Sequence, residues 1–139
     1  MPFKKLPVLV DGDLTVAEST TILRYIGQLP GAGAWYGDRS LKEKVKIDEY
    51  LDYWQSTLHP TAVKLLQNKL MYKLVFRKPQ PDEKVVKESS AAHESQKKIF
   101  QDYFLGSNRF VGGDTASIAD VLMASTLLQT SITGDGLRL

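Results

Sequence analysis

The chain of 139 residues contains no cysteine. That excludes a disulfide framework, a cysteine metal site and a cysteine nucleophile, and it leaves the compartment open. Long apolar runs are also missing. No stretch approaches the ~20 residues of a membrane-spanning helix, and the start lacks the apolar core of a signal peptide. The plain expectation is a cytoplasmic protein with no membrane partner. Neither sign of charge prevails: 18 basic and 16 acidic residues leave a net charge of +2. A concentrated basic face for nucleic acid is therefore not expected. The hydrophobic fraction of 42% suffices for a globular core, although a division into two parts makes each part small. Internal repeats and low-complexity tracts are absent.

What is present reads as two regions. Leu6 to Val16 has the pattern of a β-hairpin: Leu6, Val8, Leu9 and Val10 form an apolar run, Asp11-Gly12 supplies a turn, and Leu14 and Val16 alternate with polar neighbours. A helix is predicted from about Glu18 to Gln28, with Ile22, Leu23 and Ile26 as its apolar stripe. Pro30, Gly31 and Gly33 then break the chain.

The remainder reads as helical. Ser40-Leu41-Lys42-Glu43 has the capping-box pattern, and Ile47, Leu51, Trp54 and Leu58 recur at helical spacing. Pro60 lacks a backbone donor and is expected to kink or end that helix. Leu65, Leu66, Leu70, Leu74 and Val75 continue or restart it. Pro79 and Pro81 mark a loop. A further helix is predicted over Asp82 to Leu105, with Val86, His93, Phe100 and Phe104 on one side, and a last one over Ile118 to Ser131.

Two motifs sharpen this pattern. Lys4-Lys5-Leu6-Pro7-Val8-Leu9-Val10-Asp11-Gly12, followed by Ala17-Glu18-Ser19, resembles the glutathione-binding segment of cytosolic glutathione S-transferases. Ser117-Ile118-Ala119-Asp120 resembles that family's signature at the start of a buried core helix, and Trp35 to Leu58 resembles theta-class members. The implied fold is α+β and mostly α: a partial thioredoxin-like β-β-α unit, then an all-α C-terminal domain. The implied boundaries are 1–29 for the glutathione-binding unit, 30–37 for a linker and 38–139 for an incomplete helical domain. By this resemblance Pro7 follows a cis bond, and the Leu6 main chain pairs with the cysteinyl part of glutathione. Glu18 and Ser19 hold its γ-glutamyl end, and Lys5 faces its glycyl carboxylate. A helix start favours a carboxylate there, through free N–H groups and the macrodipole.

Other roles are structural. Ser117 and Asp120 are a capping box, with Ala116 before them offering a weak hydrophobic staple. An acidic residue and a serine opening a helix also suit a simple cap. His59 and His93 have no second ligand at metal spacing, so no metal site is assigned. Trp35-Tyr36 is expected to pack the seam between the regions.

Relative to the family pattern, the chain enters with Met1-Pro2-Phe3 just before a third strand. No residue receives the catalytic hydroxyl, and Ser19, Ser40 and Ser56 do not qualify. Gly134 to Leu139 ends where the family has further helices. The implied chemistry is attack of glutathione thiolate, as co-substrate, on a small electrophile. The chain by itself is expected to be inactive or weakly active, with Tyr36 the first substitute to test. The alternative is a non-catalytic glutathione-, ligand- or protein-binding module of the same fold. The family implies a homodimer.

Overall fold

A computed structural model describes residues 4–134. Met1, Pro2 and Phe3, and residues 135–139, which carry the readings of the two chain ends, lie outside them. Strands β1 (Val8–Asp11) and β2 (Leu14–Ala17) form an antiparallel hairpin in which Asp11 pairs with Leu14. The turn is thus Gly12-Asp13, one residue later than Asp11-Gly12. Gly12 has φ +59 and takes the first central position, where positive φ matches the twist of the strands.

Helix α1 (Ser19–Ile26) follows β2 directly. It buries Ile22 and packs Leu23 on the core, but Ile26 stays 38% exposed, so the stripe is narrower than predicted. The seam with the helical region needs Gly27: a Cβ there would lie 2.7 Å from Cβ of Tyr36. Tyr36 is buried and Trp35 is half-exposed, so only one of the pair packs the seam.

Helix α2 (Leu41–Tyr53) begins with the capping box read from the sequence. Ser40 N–H donates to Glu43 Oε2 at 2.9 Å, and Glu43 N–H donates back to Ser40 Oγ at 3.4 Å. The Ser40 hydroxyl and N–H hold the Glu43 carboxyl below its usual range. Pro60 neither ends nor restarts the helix. A π-helical turn, Trp54–Leu58, precedes it and joins α2 to α3 (His59–Leu66). Such a turn absorbs the missing donor and the ring's clash with the preceding turn. Side chains serve nearby carbonyls: Ser56 Oγ donates to Asp52 O and Thr61 Oγ1 to Leu58 O.

A second π-turn, Gln67–Met71, leads to the short α4 (Tyr72–Leu74). Leu65 and Leu66 are buried, whereas Leu74 and Val75 face solvent. Helix α5 (Glu83–Ile99) continues as a π-turn to Leu105 and packs on α3. Helix α6 (Ile118–Ser131) lies against α2 and α3.

The core sits among these helices: Ile47, Tyr50, Leu51, Trp54, Leu58, Phe100, Val111, Ile118, Leu122 and Met123. Phe100 and Phe104 meet Tyr50 edge-on at 5.4 and 5.2 Å, a favoured aromatic geometry. Trp54 Nε1 donates to Thr126 Oγ1 at 2.8 Å, satisfying a buried donor. Arg39, nearly buried, ties the segment before α2 to that before α6, donating to Ala34 O, Thr115 O and Ala116 O.

Candidate functional site

The Leu6–Pro7 bond is cis. Pro7 leads into β1, and the far end of the hairpin returns the chain to Glu18 and the start of α1. Lys5, Leu6, Pro7, Glu18 and Ser19 therefore line one pocket of about 200 Å³, together with Ala17, Trp54, Gln55 and His59. All five candidate residues singled out in the sequence meet there. The helical wall of Trp54, Gln55 and His59 was not among them. No spacing in the sequence marks that wall, because Gln55 meets Glu18 across 37 positions.

Glu18 has φ +74, a region that non-glycine residues rarely adopt. Its carbonyl accepts the first helical bond, from Ile22 N–H at 2.9 Å. Its carboxylate does not cap α1. It accepts instead from Gln55 Nε2 at 3.0 Å, and Gln55 Oε1 accepts from Thr20 Oγ1 at 2.7 Å. Glu18 is thus the N-cap residue by its main chain alone. Ser19 is half-buried at the helix start.

His59 stacks on Trp54 with ring centroids 4.4 Å apart. Burial pushes its imidazole below the usual histidine range, which favours the neutral ring. Tyr36 is elsewhere: its hydroxyl donates to Asp48 Oδ2 at 2.9 Å. Burial, and then the Asp48 carboxylate, push the Tyr36 phenol up. That environment makes Tyr36 a poor substitute for the thiol-activating hydroxyl.

The second motif closes on itself. Ser117 N–H donates to Asp120 Oδ2 at 2.7 Å, and Ala119 N–H donates to Ser117 Oγ at 3.2 Å. Asp120 Oδ1 also accepts from Val111 N–H at 2.9 Å, tying the preceding loop to the helix start. A shallower cavity of about 340 Å³ beside α2 contains none of the binding residues named in the sequence. Its Lys46, Glu49 and Tyr103 are bonded to one another. No group of three or more His, Asp or Glu side chains suited to a metal occurs among the described residues.

A cis-proline loop, a β-β-α unit and a helical bundle define the class as the glutathione S-transferase fold. The sequence model "Glutathione S-transferase, N-terminal domain" matches residues 1–28. The particular likeness is to theta-class members. The chain is 32% identical over 126 residues to glutathione S-transferase theta-1 of Gallus gallus, covering 91% of this chain and 48% of the relative. It is 32% identical over 121 residues to glutathione S-transferase F10 of Arabidopsis thaliana, covering 86% and 55%. The apo structure of human glutathione S-transferase T1-1 superposes with a TM-score of 0.86 at 27% identity, covering 96% of this chain and 55% of that one. Human glutathione transferase theta-2, in complex with glutathione and an unknown ligand, gives 0.80 at 29%, covering 94% and 53%. The chain thus spans about half the length of the relatives it matches.

Proposed function

We propose that the pocket binds glutathione, and that the chain serves conjugation of the glutathione thiolate to a small electrophile. The observation that carries this reading is the convergence of Lys5, Leu6, Pro7, Glu18 and Ser19 on one cavity. The division into 1–29, 30–37 and 38–139 belongs to the same reading, as does a cytoplasmic location. In it, the Ser19 hydroxyl and the free N–H groups opening α1 receive the γ-glutamyl carboxylate. The Glu18 carboxylate accepts from the ligand's ammonium, the Leu6 main chain pairs with the cysteinyl segment, and Lys5 faces the glycyl carboxylate. The thiolate attacks the electrophile's carbon, a carbon–sulfur bond forms, and the leaving group departs with its electron pair. None of the described residues is assigned the hydroxyl that holds the thiolate. Half-exposed or exposed apolar side chains on α1 and α2, among them Ile26, Leu41 and Val45, support a homodimer through these helices.

Titration calorimetry with glutathione tests the site. Weak, saturable binding is expected, abolished by Glu18→Ala and by Ser19→Ala. Tight binding that survives both substitutions would place the ligand elsewhere.

A further inference from the structure

We propose that Gln55 is a positioning residue for the ligand's ammonium group, presenting the Glu18 carboxylate from the helical side of the pocket. The inference rests on the glutathione reading above and adds to it a residue from the other region of the chain. Gln55 lies in the π-turn after α2, on the far wall of the pocket from the hairpin. Both ends of its amide are engaged. Oε1 accepts from Thr20 Oγ1 at 2.7 Å, and Nε2 donates to Glu18 Oε2 at 3.0 Å.

This arrangement has one sense. Were the amide turned over, its oxygen would face the Glu18 carboxylate, acceptor against acceptor, whereas the Thr20 hydroxyl, which can donate or accept, follows whichever amide end it meets. Thr20 is 2% exposed, so its hydroxyl is a fixed anchor rather than a solvated one. Glu18 leaves the helix start at positive φ and makes no cap bond to α1, so its own helix does not hold the carboxylate. Gln55 supplies that hold through Oε2. A carboxylate has about four acceptor positions, so the rest stay open to a cation arriving in the pocket. Without Gln55 the exposed Glu18 side chain regains its rotamers, and each ligand that needs it must order it again.

The bland account of the same bonds is a polar contact that only docks the two regions. The two roles separate with a ligand that lacks the ammonium. Wild type, Gln55→Leu and Thr20→Val are titrated by calorimetry at pH 7 with glutathione and with its des-amino analogue, glutaryl-Cys-Gly. Gln55→Leu is expected to weaken glutathione about five- to tenfold, the range of one ordinary solvent-exposed hydrogen bond. The analogue's affinity should stay as in wild type. Thr20→Val, which removes the second tether of the amide, should move glutathione the same way by less. Equal losses for both ligands, or no loss for either, would overturn the role of Gln55 while leaving the glutathione site in place. A wild-type chain that binds neither ligand, or binds both alike, would overturn the assignment of Glu18 to the ammonium as well.

Discussion

The hairpin with α1 and the segment leading into it supplies six of the pocket's nine lining residues but, among apolar side chains, buries only Ile22, whereas Tyr36 and the α2–α6 region contribute the remaining buried apolar core. The strands show the contrast plainly: Leu6 is 81% and Val10 67% exposed, while Ile47, Leu51 and Leu58 are fully buried. A two-stranded hairpin is marginal in water without something to pack on. Here the support is polar and lateral. Arg24 on α1 reaches Asp48 at 2.6 Å and Asp52 at 2.9 Å, Thr20 and Glu18 reach Gln55, and Gly27 lets Tyr36 approach. The comparison teaches that the hairpin and α1 are held in shape by the helical part, so the region that carries the stability is not the one that supplies most of the pocket's lining.

The strongest test of that division compares core with strand. Leu51→Ala should destabilise by about 2–5 kcal/mol, through lost apolar transfer and the cavity left behind. Val10→Ser should change stability by no more than about 0.5 kcal/mol. Denaturant melts of the two variants measure both. Comparable losses would mean that the hairpin carries core-like packing of its own.

A smaller effect refines the helical side. Ser117→Ala should cost about 1 kcal/mol as the loss of a cap. Asp120→Ala should be non-additive with it, because the two side chains bond each other and the same backbone. Strictly additive melts would place the start of α6 under other control.

The smallest effect falls on the seam. Arg24→Ala should lower global stability by less than about 1 kcal/mol, since exposed and half-exposed ion pairs are screened. It should nevertheless speed amide exchange in residues 8–26 and leave α6 unchanged. Exchange that rises equally in both regions would show that they open as one unit.

Much of this architecture was legible because it is local. The Ser40–Glu43 and Ser117–Asp120 boxes close over three residues, so the sequence alone names both partners. The run Ile47, Leu51, Trp54 and Leu58 gave the buried face of the long helix, and Val86, His93, Phe100 and Phe104 gave that of the next. Errors arose where neighbours decide. The turn moved to Gly12-Asp13 because strand register depends on both strands. Of the two outcomes expected at Pro60, an end does not occur: the helix continues into His59–Leu66 through a π-turn, invisible in apolar spacing. Ile26, Leu74 and Val75 fit the periodicity and yet stay exposed, since periodicity names a face and not what covers it.

That Lys5, Leu6, Pro7, Glu18 and Ser19 line one pocket follows from short-range structure, since they sit at one hairpin and the first turn of a helix. Tertiary structure alone determined the opposite wall. Gln55 stands 37 positions from Glu18, and Arg39 stands 76 from Thr115. Caps, turns and apolar stripes are fixed by bonds that reach a few residues, and so they are written in order along the chain. Which polar side chain meets the Glu18 carboxylate depends on how two regions dock, and no spacing in the sequence encodes that distance.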